Sequence, residues 1–476
     1  MTLQETIHRL QRKEVTPTQL VQQAIDRINQ NDGAINAVVV KRFQQALLES
    51  QQDFQHTLFK GIPILIKSLG QDLKDEPSTA ASFLLKDHRA SHTSYFVAKL
   101  QELGFIILGQ TNSPEFGFKN ISDSQLYGPV KHPLNLKLSP GGSSGGASAA
   151  LIAGYVPVVA ASDGGGSIRI PASYGGLVGL KPTRGSMPTG PTSYRGWQGA
   201  SINFFLTKTL EDTQLLFEAM KSNTIQAPFN YVPLNHEQTK PIKIAYSLRS
   251  PVQSPVSKAA IDTVIQTVQQ LQQLGYETVE VAPNYDGFKL METYYLVNGV
   301  ETAAMIQNIE QSRKQPINRS DIELMSWVLY QYGLDIRGSQ LVDALNYWDF
   351  VSEVMHEFHQ DYALYLTPTT AESAPALYED EHEVELLKQM WQIETAPNKY
   401  DIVYRMFEKS LAHTPFTMLA NITGQPAISL PLHTHQQSMP IGIQLMAEKG
   451  QEQLLFEISH QLLSVNQLSG GKNNDI

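Results

Sequence analysis

Two serines of this chain sit in glycine cradles. Ser143 lies within Gly141-Gly142-Ser143-Ser144-Gly145-Gly146, and Ser167 closes Gly164-Gly165-Gly166-Ser167. Upstream, Lys67 follows the apolar run Ile62-Pro63-Ile64-Leu65-Ile66. Two hydroxyls, one amine and close-approaching backbone are parts for nucleophilic catalysis. A serine hydroxyl is a poor nucleophile near neutral pH and needs a base. Neither cradle has a histidine beside it. A lysine can serve once burial lowers its pKa, because desolvation penalises the charged amine. A lone lysine after a strand is ordinarily a surface residue; the two cradles set Lys67 apart. Successive glycines let backbone N–H groups turn toward one point and form an anion-binding nest. The tetrahedral intermediate of an amide needs such donors.

Competing chemistries fit less well. The first cradle is not a phosphate-binding loop, since no Gly-Lys-Ser/Thr follows, and the chain has no dinucleotide fingerprint with its acidic residue. Gly141-Gly142-Ser143-Ser144-Gly145 satisfies the G-x-S-x-G pattern of a nucleophile elbow, but that elbow needs a strand before it. The preceding Asn135-Leu136-Lys137-Leu138-Ser139-Pro140 makes a poor strand. The absence of cysteine excludes thiol nucleophiles, disulfides and zinc–thiolate sites. His356 and His359 are spaced i, i+3 and do not form H-E-x-x-H. They and the pair His433 and His435 read as surface polar groups, so no metal is expected.

The elements that must position these groups alternate between strand and helix. Thr16-Pro17-Thr18-Gln19 is a capping box with proline at the first helical position. Leu20, Val21, Ala24, Ile25 and Ile28 then form one apolar stripe, and Asn31-Asp32-Gly33 is expected to stop the helix. Val38–Val40, Ile62–Ile66, Phe105–Leu108 and Val156–Ala160 read as buried strands, with helices over 94–103 and 145–153. The stretch 241–282 repeats the logic around a long helix over 255–274, whose Gln266–Gln273 segment forms a wet face. From about 284 to 362 the pattern is helical and aromatic. Leu364–Leu366, Ala427–Leu430 and Ile441–Leu445 read as late strands and 453–463 as a closing helix. The acidic run Glu379–Glu385 reads as a solvated patch. This alternation predicts an α/β fold: a mixed twisted β-sheet covered by helices on both faces.

The chain has 476 residues, 41% hydrophobic and 17% charged, enough for a large core. No convincing linker divides it, so a single domain over 1–468 is expected, with a flexible tail at 469–476. Within that domain, 1–60 reads as an N-terminal helical part and 61–225 as the catalytic core. Residues 283–362 read as a variable helical, substrate-side region and 363–468 as a C-terminal core. The net charge is −10 and no block of lysine or arginine suggests a phosphate-binding face, which argues against nucleic acid. Neither a signal peptide nor an 18-residue apolar run is evident, so a cytoplasmic protein away from membranes is expected.

The glycine-serine segments resemble the amidase signature family. GGSSGG, then SDGGGSIRIPA, then GLKPT occur in the family's order and spacing. GIPILIK resembles the family's lysine strand, and Gly109-Gln110-Thr111-Asn112 its asparagine turn. Residues 422–427 and 440–444 resemble its C-terminal core. The resemblance covers roughly 1–225 and 363–465. It implies the family's α/β fold and a Ser–cis-Ser–Lys triad that hydrolyses a carboxamide through an acyl-enzyme without a cofactor. Ser167 would be the nucleophile, Ser143 the bridging serine and Lys67 the base. The N–H groups of Gly164, Gly165 and Gly166 would hold the oxyanion, while Ser144, Asp163 and Arg169 brace the site. Phe116, Asn120 and Asn298 are candidate substrate contacts, with Tyr294 and Tyr295 nearby. The partner implied is a small-molecule amide, bound by a monomer or homodimer.

Two departures qualify the resemblance. Gly164 stands where the family usually has threonine, and Ile170 where glutamine-hydrolysing amidotransferase A subunits typically carry glutamine. The SDGGGSIRIPAS form is closer to the branch containing 6-aminohexanoate cyclic-dimer hydrolases. Some members of that branch place a cysteine in the variable region, and this chain has none. The alternatives are an amidotransferase A subunit, which would need partner chains, and a non-catalytic binding protein on the same fold. The presence of all three polar groups argues against the latter.

Overall fold

The computed structural model describes residues 1–234, 242–378, 382–432 and 439–470, with side chains to residue 465. An 11-stranded sheet runs through it in the order β1-β3-β2-β4-β6-β5-β10-β11-β9-β7-β8. Its strands are β1 (Val38–Lys41), β2 (Pro63–Lys67), β3 (Ile106–Thr111), β4 (Val159–Asp163), β5 (Val178–Lys181) and β6 (Ile202–Thr207). They continue with β7 (Lys243–Tyr246), β8 (Glu277–Glu280), β9 (Leu364–Pro368), β10 (Ala427–Leu430) and β11 (Ile443–Ala447). β2 lies between β3 and β4, parallel to both. β4–β6–β5–β10–β11–β9 is antiparallel throughout, and β9–β7–β8 is parallel again. The sheet is therefore mixed, as the alternation predicts. All residues of β2, β3, β4 and β5 are buried, which explains their near-continuous apolar sequences.

The structure corrects several boundaries. The helix Pro17–Ile35 carries its capping box at Thr16 and Gln19 but runs through Asn31-Asp32-Gly33. Asp32 is buried, and its carboxylate accepts the N–H groups of Ala37 and Val38 at 2.9 and 3.1 Å. The helix end is thus satisfied from within, and Asn36 takes the left-handed turn at φ 62°. β1 is an edge strand with only Val38 buried, not a buried strand. β4 begins at Val159 rather than Val156, because Pro157 has no N–H to give a ladder. That shift matters, since it places Asp163 at the strand end, directly before the glycine loop. The closing helix is Glu452–Gly470, longer than its apolar pattern; residues 471–476 of the expected tail lie outside the described residues.

Two large apolar cores result, beside a small cluster of Ile170, Tyr174 and Ala374. One surrounds the sheet and its flanking helices. The other joins the helices Gly287–Arg313, Leu324–Leu334 and Gly338–Asp361 to the segment 386–422. Gly299 and Gly333 let the first two of these helices touch: a Cβ on Gly333 would fall 1.9 Å from the Gly299 carbonyl oxygen. Gln269, Gln272 and Gln273 are exposed, as a wet face requires. Of the acidic run, residues 379–381 lie outside the described residues, and Glu383 and Glu385 are exposed. His356 Nδ1 lies 2.8 Å from Glu448, and His359 Nδ1 donates to the Tyr362 carbonyl at 2.8 Å; His433 and His435 lie outside the described residues. Among the described residues, no helix is long and apolar enough to cross a membrane.

Candidate active site

β2 ends on Lys67, and its neighbours leave the amine almost no route to solvent, at 1% exposure. Lys67 Nζ lies 2.7 Å from Ser143 Oγ and 3.0 Å from Ser162 Oγ. The lysine's own N–H donates to Gln71 Oε1 at 2.7 Å, while Gln71 Nε2 donates to the Ala161 carbonyl at 2.8 Å, so β2 and β4 are tied beside the amine. Burial pushes the Lys67 pKa down to about 7, against the opposing charge of Asp163.

Ser143 stands just before the helix Gly145–Ile152, on a cis Gly142–Ser143 peptide. Gly142 packs on the backbone of Ile121, where a Cβ would fall 2.7 Å from its N, C and O atoms, so no side chain fits. Ser122 Oγ reaches the carbonyls of Gly141 and Ser143, each at 3.3 Å, and accepts the Gly145 N–H at 3.0 Å. Ser144 Oγ donates to the Ser162 carbonyl at 3.2 Å, joining this cradle to β4.

Asp163 and Arg169 form a fully buried ion pair. Arg169 Nε and Nη2 donate to the two Asp163 oxygens, both at 2.9 Å. The guanidinium also donates to the Thr417 carbonyl at 2.8 Å, Gln444 Oε1 at 2.7 Å and Asn421 Oδ1 at 2.6 Å. Asn421 Nδ2 returns a bond to Asp163 Oδ1 at 2.8 Å. Burial alone would raise the Asp163 pKa, but Arg169 and Asn421 outweigh it and hold the carboxyl at about 2. The pair is thus a structural brace of fixed charge.

Gly166 departs from the expectation for the oxyanion site. Its N–H donates to Asp163 Oδ1 at 2.8 Å and belongs to the brace. Gly164, Gly165 and Ser167 line the cavity instead, and their N–H groups have no hydrogen-bond partner among the described residues. The Ser167 hydroxyl likewise makes no hydrogen bond to Ser143, so of the expected relay the structure contains the Ser143–Lys67 leg.

A cavity of about 330 Å³ opens onto these groups. Ser143, Ser162 and Ser167 form its polar wall; Phe118, Trp197, Tyr295 and Met418 lie among its apolar residues. Phe116, Asn120 and Asn298 all line it. Asn120 Nδ2 donates to Thr414 Oγ1 at 2.6 Å, and Asn298 Oδ1 accepts from the Trp197 indole. Sequence reasoning missed Ser162 as a lysine partner, and missed Thr417, Asn421 and Gln444 as the far side of the brace. Asn421 and Gln444 lie beside or within C-terminal segments that resemble the family core, which was the available signal. Ser162 has no distinguishing spacing at all.

With this geometry in place, the comparisons with known proteins agree on class. The profile of the family described as Amidase matches residues 19–456, and the chain belongs to that family. It is 39% identical over 453 residues to a lipoamidase of Enterococcus faecalis, covering 94% of this chain and 61% of that one, so it spans under two thirds of that relative. It is 30% identical over 465 residues to a 6-aminohexanoate-cyclic-dimer hydrolase of Paenarthrobacter ureafaciens, covering 94% of this chain and 91% of that one. A solved structure of 6-aminohexanoate cyclic dimer hydrolase complexed with substrate superposes with a TM-score of 0.88 at 26% identity, covering 98% of this chain and 97% of that one.

Proposed function

We propose that this protein hydrolyses the C–N bond of a linear carboxamide through an acyl-enzyme on Ser167. The observation that carries the proposal is the buried Lys67 amine, depressed to a pKa of about 7, 2.7 Å from Ser143 in the cavity that Ser167 lines. Neutral Lys67 takes the Ser143 proton as Ser143 takes that of Ser167, whose partner-free hydroxyl can turn toward it. Ser167 Oγ attacks the amide carbon, and the N–H groups of Gly164, Gly165 and Ser167 hold the resulting oxyanion. Losing one such donor raises the barrier by about 3–4 kcal/mol. Ser143 passes a proton to the leaving nitrogen as the C–N bond breaks. Water, activated by the same relay, then releases the acid and regenerates Ser167.

The apolar wall of Phe116, Phe118, Tyr295 and Met418 favours an acyl part rich in CH₂ groups, since each buried methylene is worth about 0.8 kcal/mol. A lipoamidase and a cyclic-dimer hydrolase among the relatives support an amide substrate of modest size. Fluorophosphonate labelling with peptide mass spectrometry tests the assignment. A single adduct on Ser167, lost in Lys67→Ala, is expected. An adduct on Ser143 would reverse the two serines' roles, and no adduct would remove the activated nucleophile altogether.

A further inference from the structure

The glycine loop is gripped from two directions beyond its brace. Tyr294, on the helix Gly287–Arg313, donates its hydroxyl to the Gly164 carbonyl at 3.0 Å. Thr417 Oγ1 donates to the Gly165 carbonyl at 2.6 Å. In a trans peptide the carbonyl of one residue and the N–H of the next point in opposite directions. Among the described residues the cis bonds are elsewhere, at Gly142–Ser143 and Gly190–Pro191. Fixing the Gly165 carbonyl therefore aims the Gly166 N–H the other way, where Asp163 Oδ1 receives it at 2.8 Å. By the same geometry, fixing the Gly164 carbonyl sets the direction of the Gly165 N–H, which has no hydrogen-bond partner among the described residues and belongs to the cavity wall.

We propose that Tyr294 is a positioning residue of the oxyanion site, holding the Gly164–Gly165 peptide so that the Gly165 N–H meets the charge of the tetrahedral intermediate. The inference rests on the amidase reading above. Its consequence is that the seating of the long helix Gly287–Arg313 on the glycine loop sets the rate of the chemical step. The contact is intimate: a Cβ on Gly165 would fall 2.6 Å from the Tyr294 hydroxyl oxygen and 3.4 Å from the ring carbon that bears it. Burial pushes the phenol pKa up, so the group stays a neutral donor.

Tyr294→Phe removes the hydroxyl and keeps the ring. Losing an oxyanion donor outright costs about 10²–10³ in kcat, and loosening one should cost part of that, about ten- to a hundredfold. The probes are an aliphatic amide and the matching alkyl trifluoromethyl ketone, which forms a tetrahedral oxyanion adduct with an activated serine. In Tyr294→Phe, kcat should fall while KM stays within about twofold, and the ketone's inhibition constant should rise by the same factor as kcat falls. The acid limb of the rate profile should not move. Unchanged kcat and ketone affinity would overturn the proposal. So would a rise confined to KM, which would make Tyr294 a substrate contact, or a fall in kcat with undiminished ketone affinity.

Gly165→Ala supplies an independent check. Alone it collides with the Tyr294 hydroxyl; beside Tyr294→Phe its nearest remaining neighbour is a ring carbon at 3.4 Å, an ordinary contact. The double variant should therefore lose less than the product of the single losses, and multiplying losses would count against the contact. Ser167→Ala is assayed in parallel. If it turns over the amide normally, the acyl-enzyme reading on Ser167 has itself failed; if it is dead while Tyr294→Phe is normal, only the positioning role has failed.

Discussion

Lys67→Met separates what the site needs from what the fold would prefer. Burial lowers the Lys67 pKa from an ordinary 10.5 to about 7 at 1% exposure. Between those two values the unfolded chain binds a proton here that the folded chain does not. Stability therefore rises with pH across that window, by about 1.4 kcal/mol per pH unit and roughly 5 kcal/mol in all. Below pH 7 the full penalty applies. Methionine has similar length and no charge, so the variant lacks this pH-dependent term. It also loses the contacts to Ser143 and Ser162, worth about 1 kcal/mol each at any pH. The variant should then be more stable than the parent by about 2 kcal/mol at pH 7, with the advantage vanishing near about pH 9. Urea unfolding followed by tryptophan fluorescence at pH 7, 8 and 9 measures the difference. All other titrating groups are common to both proteins, so the difference isolates Lys67. A stability gap that is constant with pH, or that widens as pH rises, would refute a depressed amine at this position.

Four further outcomes are expected. The rate of amide hydrolysis should fall about tenfold per pH unit below pH 7 as Lys67 becomes protonated, and a kcat/KM profile flat to pH 5 would oppose a lysine base. Asp163→Asn leaves the buried Arg169 charge without its counter-ion and should cost about 3–5 kcal/mol, read as a lowered unfolding midpoint. Gly109→Ala drives a Cβ to 2.1 Å from the Val40 carbonyl oxygen and should destabilise by about 1–3 kcal/mol or more, visible as reduced soluble yield and lowered Tm. Gly33→Ala, where a Cβ meets nothing within 4 Å inside the helix Pro17–Ile35, should stabilise by about 0.5–1 kcal/mol in the same assay.

Much of the local architecture was readable because it depends on local chemistry. The Thr16–Gln19 capping box, the apolar run before Lys67 and the strand Ala427–Leu430 all follow from neighbouring residues, and the structure contains them. Errors arose where a distant or concealed partner decides. Asp32 reads as a helix stop until its carboxylate is seen to satisfy the backbone beyond the helix. Gly166 looks equivalent to Gly164 and Gly165, and only Asp163, folded back beneath the loop, distinguishes its N–H. Ser162 meets Lys67 because two parallel strands end side by side, a relation across 95 positions that no spacing rule encodes. The same holds for Tyr294, whose ring belongs to an aromatic helix and whose hydroxyl belongs to the glycine loop.

The brace beneath the glycine loop also has a place in time. Arg169 binds Thr417, Asn421 and Gln444, which follow it by 248, 252 and 275 residues. At roughly 5–20 residues per second, a ribosome needs about 14–55 s to make the last of these after Arg169 itself. Through that interval the guanidinium, the Asp163 carboxylate and the serine between them lack the groups that fix their geometry. On the proposed reading, the nascent chain carries Ser167 long before the brace beneath it is complete, and hydrolytic competence arrives with the final strands of the sheet. A chain released early, or cut after the helix Gly338–Asp361, would keep Lys67, Ser143 and Ser167 yet lack the Thr417, Asn421 and Gln444 contacts that complete the brace.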